Sequence, residues 1–189
     1  MDLFDPNLKI FTNYISLDYV SINDSENIYS LRNEHKNSVL KSLNGTLDDQ
    51  KIYLSKYLER FSNREEIYFS INCLKTNDMF GYVRLTELNN DYKFSYESLI
   101  LKETSPKFIA LDSILTIYKI GFNFLNREVC GPWVVPLDGK RIINLHNKMN
   151  LINIIAETKK YYICQVLKEK YLSNINFFDK LGLGNLNFS

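Results

Sequence analysis

The sequence predicts an α/β fold: one domain over residues 1–189, with a mixed, mostly antiparallel central sheet flanked by about four helices and a C-terminal appendage from about residue 172. Three observations lead there. The chain is 189 residues long, the size of one domain. Residues 66–101 divide into three apolar runs separated by the polar turns Thr76-Asn77-Asp78 and Asn89-Asn90-Asp91, the pattern of an antiparallel meander. Helical periodicity stands on both sides of that meander, and helices bordering strands in this way pack on the faces of one sheet.

Taken in order, Lys9 to Ile22 holds a first strand, with Ile10, Tyr14, Ile15, Leu17 and Val20 as its apolar positions. Asp24 and Ser25 are cap-type residues ahead of Ile28 and Leu31 and predict a short helix. Thr46-Leu47-Asp48-Asp49 resembles a capping box, and Ile52, Tyr53, Leu54, Tyr57, Leu58 and Phe61 then form one apolar face. The meander strands are Ile67–Cys73, Phe80–Leu85 and Tyr92–Leu101. Ser105-Pro106 opens the next helix, Ser as N-cap and Pro at the first helical position, where its missing N–H costs nothing. That helix is apolar around most of its circumference through Leu125, so a central position is expected. Val129–Val135 is a strand, Asp138 caps a helix through Met149, and Asn150 stands at a left-handed C-cap. Ile152–Glu157 and Tyr161–Lys168 form a last hairpin. The tail from Asn174 carries Phe177, Phe178, Leu181 and Leu183, which either dock on their own domain or bury against a second subunit.

Lys plus Arg is 23 and Asp plus Glu is 22, a net charge of +1. A general nucleic-acid binder needs a large basic excess to displace counterions, so no nucleic-acid partner is expected. No apolar run reaches the roughly 20 residues of a membrane span, and the acidic start MDLFDPNLKIF is not laid out as a signal peptide. Cys73, Cys130 and Cys164 are three in number, far apart and unpatterned, which reads as reduced thiols in a cytoplasmic protein.

Four segments carry a family likeness. Leu31-Arg32-Asn33 is similar to the [WL]RN segment of bacterial N-acetyltransferases acting on nucleotide-linked amino sugars. Glu97, in Tyr96-Glu97-Ser98-Leu99-Ile100, matches the acidic residue at the start of a family strand. Asp138 to Leu151 resembles the segment D-N-x-x-a-i-x-L-[YH]-x-K-x-G-F without a gap, and Tyr161-Tyr162-Ile163-Cys164 resembles the closing strand of the pseudaminic acid branch. On these residues, from about Leu31 to Tyr171, the chain resembles the GNAT superfamily of N-acetyltransferases. The pyrophosphate loop of that superfamily, [QR]-x-x-G-x-[GA], aligns with Ser105 to Ala110; Ala110 fits, while Phe108 replaces a glycine and Ser105 the Gln or Arg.

The resemblance implies transfer of an acetyl group from acetyl-CoA to a primary amine of a small acceptor, a nucleotide-linked amino sugar of surface-polysaccharide synthesis; composition adds a soluble protein, and the apolar tail leaves a homodimer open. The alternatives are an amino-terminal or polyamine N-acetyltransferase, and a non-catalytic module in which Phe108 closes the cofactor loop. It implies Glu97 as the general base, His146 as an aid to thiolate departure, and a backbone N–H among Leu99, Ile100 and Leu101 at the thioester carbonyl. Lys107, Phe108, Ile109, Ala110, Leu111 and Asp138 would hold the cofactor, since N–H groups at a helix start meet anions. Arg32, Asn33, Tyr82 and Tyr161 would hold the acceptor. Each has a plainer reading too: a tied strand carboxylate for Glu97, an exposed helix-end imidazole for His146, a backbone anchor for Arg32 and Asn33, packing for the tyrosines and a core ring for Trp133. His35, in the loop after Arg32-Asn33, reads as solvated. No metal site is expected. Burying a Phe gains about 1.5–3 kcal/mol, so Phe108 is expected to fold inward against Leu111 and Asp112.

Overall fold

The computed structural model describes residues 2–34, 45–137 and 139–189; the side chains of Glu97 and Ser98 lie outside that description, as do His35 and Asp138 altogether. Its strands are β1 (Ile10–Phe11), β2 (Ile15–Tyr19), β3 (Ile67–Cys73), β4 (Met79–Thr86), β5 (Lys93–Leu101), β6 (Val129–Pro136), β7 (Ile152–Glu157), β8 (Tyr161–Leu167) and β9 (Asn187–Phe188). The helices are α1 (Ser25–Glu34), α2 (Leu47–Ser62), α3 (Lys107–Lys119), α4 (Lys140–Lys148) and α5 (Lys168–Leu181). The strands form one sheet in the order β7-β8-β6-β5-β4-β3-β2-β1-β9, in which β5–β6 is the parallel pair. The expected mixed, mostly antiparallel architecture is what the chain adopts.

Alternation along the meander decides the two faces. Ile67, Phe69 and Ile71 of β3, with Val83 and Leu85 of β4, pack under α3 together with Ile109, Leu115 and Ile117. Tyr68 and Tyr82 point the other way, into a smaller cluster with Ile28 and Leu31 of α1 and Leu54 and Tyr57 of α2. The capping box at α2 is present, Thr46 accepting from the Asp49 N–H while the Asp49 carboxylate accepts from the Thr46 N–H. Its apolar face is narrower than the sequence suggested: Ile52 and Leu58 are exposed, and Leu54 and Tyr57 carry the burial.

Four expectations need correction. The first strand is two, β1 and β2, because Thr12 breaks the run: its hydroxyl accepts from the Tyr14 and Ile15 N–H groups and turns the chain. Ser105 is not the cap of α3. Pro106 takes that position at φ −55° and ψ 137°, and the Ser105 hydroxyl donates to the Phe80 carbonyl instead. The long apolar helix ends at Lys119 in a π-helical turn, Ile120–Phe124, where a Cβ on Gly121 would sit 2.0 Å from the Phe94 ring. Lys168 opens α5 rather than closing β8. α5 and the tail lie on the chain's own core, with Tyr171, Phe178 and Leu183 buried and β9 paired with β1. Asp112 of α3, fully buried, ties both ends to the helix, accepting from the Thr12 hydroxyl and the Gly184 N–H, each at 2.6 Å.

Candidate active site

β5 and β6 exchange partners only at their starts, Lys93 with Val129 and Phe94 with Cys130. Beyond those pairs the strands part, leaving a fork bounded by β5 residues from Ser95 onward and β6 residues from Gly131 onward. On the other side of β5 the ladder to β4 is irregular. Between the pairs Tyr82–Ile100 and Arg84–Glu97, β5 has Ser98 and Leu99 against the single residue Val83. This bulge leaves one β5 residue without a cross-strand partner and re-aims the backbone there, as bulges beside functional sites do. β5 then runs through a short turn into α3, so the segment Leu99, Ile100, Leu101 and the first turn of α3 are joined by only a few residues.

That first turn is open to a ligand. No side chain caps it; the Ile109 N–H turns back to the Pro106 carbonyl at 2.9 Å, and the Lys107 and Phe108 N–H groups lead the helix ahead of it. Lys107 is exposed, Ala110 and Leu111 are half-buried, and the Ile109 side chain belongs to the core. Phe108 does not fold inward as expected. It is 43% exposed, with its ring edge-on to Tyr14 at 5.0 Å, off toward the β1–β2 turn.

Below the fork lies a buried cluster of rings. His146 of α4 is 0% exposed. Its Nδ1 is 2.9 Å from the Ile142 carbonyl, which only accepts, so Nδ1 carries the proton. Nε2 is then the acceptor; the Tyr118 hydroxyl donates to it at 2.6 Å, with the Tyr96 hydroxyl at 3.2 Å. Burial pushes the imidazole below its ordinary pKa, against the smaller opposing effect of the Ile142 bond. Burial likewise pushes both phenols well above theirs. His146 is therefore a neutral acceptor inside the fold. Trp133 of β6 completes the cluster, its ring 5.7 Å from Tyr96 and 5.8 Å from His146. Its Nε1–H is buried and has no acceptor among the described residues.

Arg32 and Asn33 are half-buried in the last turn of α1, whose final residue, Glu34, lines a shallow cleft with Lys102, Glu103 and Thr104. The structure thus brings the end of α1, the end of β5 and the start of α3 together. Tyr82 is elsewhere: its ring is buried and its hydroxyl donates to Asp24 at 3.2 Å. Tyr161 begins β8 opposite Pro136, two strands from β5 in the sheet. The Glu97 backbone sits opposite Arg84, which donates to the Tyr53 hydroxyl and lies 3.8 Å from the buried Glu66 carboxylate. Reading the sequence for site residues passed over Tyr96 and Tyr118, which have no motif and meet His146 only through packing.

The residues fit an acyl-CoA. The fork offers a slot, the bulge of β5 and the buried indole N–H of β6 offer donors, and the uncapped start of α3 offers an anion site. Among the described residues no group of His, Cys, Asp and Glu has metal-ligand geometry, and no helix is long and apolar enough to cross a membrane.

No family profile and no curated protein matches the chain. Solved structures do. The apo form of FdhC, described as a nucleotide-linked sugar GNAT, is 30% identical over 91% of this chain and 97% of its own, with a TM-score of 0.80. The spermidine N-acetyltransferase of Vibrio cholerae in complex with CoA and spermine is 17% identical over 84% and 98%, with a TM-score of 0.69. A GNAT-family acetyltransferase of Bacillus anthracis is 12% identical over 85% and 99%, with a TM-score of 0.67. The last two share the fold; the first, at its identity and coverage, places the sequence too, and the chain belongs to the GNAT family.

Proposed function

We propose that the protein is an acetyl-CoA-dependent N-acetyltransferase whose acceptor is the primary amine of a nucleotide-linked amino sugar. The observation that carries this reading is the fork between β5 and β6, bordered by the bulge at Ser98 and Leu99 and leading into an uncapped helix start. The relative described as a nucleotide-linked sugar GNAT supports the acceptor class, and Arg32 in the last turn of α1 suits it, since a guanidinium fork pairs with phosphate oxygens. Phe108, turned toward Tyr14, leaves the loop clear, which argues against a module closed to CoA.

Bound acetyl-CoA supplies an activated acyl group; the chain's residues supply everything else. The leading N–H groups of α3, with Lys107, hold the pyrophosphate. A backbone N–H at the bulge, among Leu99 to Leu101, faces the acyl oxygen where negative charge develops. An amine attacks only when neutral, and Glu97 takes its proton. The leaving sulfur has a thiol pKa of about 8.5, below the roughly 10 of an ordinary phenol, so it departs as the thiolate and no phenol of the cluster gives up its proton. His146, buried and neutral, accepts from these phenols and orients the ring cluster rather than touching the sulfur.

Calorimetry with acetyl-CoA tests the reading, followed by Glu97→Gln. Wild type should bind the cofactor, and the variant should bind it equally while turning over about 10²–10⁴-fold more slowly. Folded protein that takes up no acetyl-CoA at millimolar concentration would refute the assignment.

A further inference from the structure

The chain has a single tryptophan, and its position is constrained from several sides. Trp133 lies three residues past Cys130, the last β6 residue paired with β5. The ladder to β8 is irregular between Cys130 and Trp133 and resumes at Trp133, which pairs with Cys164. Gly131, at φ 109°, lies so close that a Cβ there would be 2.6 Å from the indole Cε3. On its other sides the indole meets Tyr96 and His146.

In that setting the buried Nε1–H has nothing to donate to among the described residues. The polar groups of its ring neighbours are already engaged. His146 Nδ1 carries its own proton toward Ile142, His146 Nε2 accepts from Tyr118, and the Tyr96 hydroxyl is drawn to the same Nε2. A buried donor left without an acceptor is costly, and native structures keep few of them. Trp133 belongs to the part of β6 beyond its last pairs with β5, where the two strands no longer exchange backbone hydrogen bonds and an inserted chain would need donors.

We propose that Trp133 Nε1–H is a hydrogen-bond donor to a carbonyl oxygen of the pantetheine arm of the acyl donor, making Trp133 a binding residue for that arm. The inference rests on the acetyl-CoA reading and specifies the residue that engages the arm inside the fork.

The single indole makes the test direct. Full-length protein labelled with 15N-tryptophan gives one indole N–H cross-peak, followed while CoA, pantetheine and 3′,5′-ADP are added separately. CoA and pantetheine should move the indole proton downfield, and 3′,5′-ADP, which lacks the arm, should leave it in place. Trp133→Phe, which keeps an aromatic ring but loses the N–H, should weaken CoA binding by about tenfold, the effect of one lost hydrogen bond. An unmoved cross-peak while calorimetry registers CoA binding would overturn the proposal and leave the acetyltransferase reading standing. So would movement by 3′,5′-ADP without movement by pantetheine. Absence of any CoA binding to folded protein would overturn both. If Trp133→Phe does not fold, the wild-type spectrum alone decides.

Discussion

Tyr118→Phe removes one oxygen from a ring that is 0% exposed. The Phe ring keeps the contacts with Phe122 at 5.8 Å and Tyr171 at 6.3 Å, so the loss is confined to the hydrogen bond. His146 Nε2 then has only the Tyr96 hydroxyl, 3.2 Å away, to turn to. A buried acceptor left unmade costs about 1–3 kcal/mol, and the shift of Tyr96 recovers part of it, so a loss of about 2 kcal/mol is expected. For a chain of this size each kcal/mol moves Tm by about 2–4 °C, which gives a drop of about 4–8 °C. Thermal unfolding followed by circular dichroism at pH 7.5 measures it. Tyr171→Phe is the control, because Tyr171 is equally buried and its hydroxyl makes no hydrogen bond among the described residues. It should shift Tm by less than about 2 °C. A Tyr118→Phe variant within about 1 °C of wild type, or one matched by the control, would refute the assignment of Tyr118 as the partner of His146.

Two further outcomes are expected. Since burial holds His146 below its ordinary 6.5, the unfolded chain takes up a proton there before the folded one does. Its contribution to stability is complete above about pH 6.5 and is lost as pH falls from there toward the folded value, by at most about 1.4 kcal/mol per pH unit. Urea unfolding at pH 7.5 and 5.5 should show a smaller acid loss in His146→Asn than in wild type, and parallel profiles would exclude a buried neutral imidazole. For Phe108→Gly, glycine's helix penalty of about 1 kcal/mol and the lost contact with Tyr14 should lower Tm, while CoA affinity measured by calorimetry stays within about threefold. A sharp gain in affinity would mean that the ring occupies the loop.

Much of the fold was legible because its signals are local. The meander shows in two-residue alternation, α2 in the reciprocal Thr46–Asp49 cap, and the end of α4 in Asn150, which has φ 53°. What escaped depends on partners distant in sequence. α5 carries its buried rings at Tyr171 and Phe178, two turns apart, too sparse for a periodic stripe. The end of α3 is set by Phe94 against Gly121. His146 reads as an exposed helix-end histidine until α3 and β5 bring up Tyr118 and Tyr96, which are 28 and 50 residues away. Phe108 follows the same rule, since its contact is Tyr14, a residue of a turn the sequence reading merged into one strand. Placing Glu97 and Arg32 rested on motif register, which names positions along the chain but not what surrounds them.

The pairing of β1 with β9 has a consequence for how the sheet is completed. Ile10 meets Phe188 and Phe11 meets Asn187, residues from opposite ends of the chain, and Asp112 fastens a neighbour of each strand to α3. Contacts of such sequence separation form late, after the loop-closure entropy of nearly the whole chain has been met. During synthesis β1 can rest on β2 while its outer side still offers unpaired N–H and C=O groups, an invitation to the wrong strand. β9 closes that side with two residues, too short to serve as a template for another chain in its turn. β9 thus acts as a stop on the sheet, converting an adhesive margin into a blunt one once the rest of the fold stands ready to receive it.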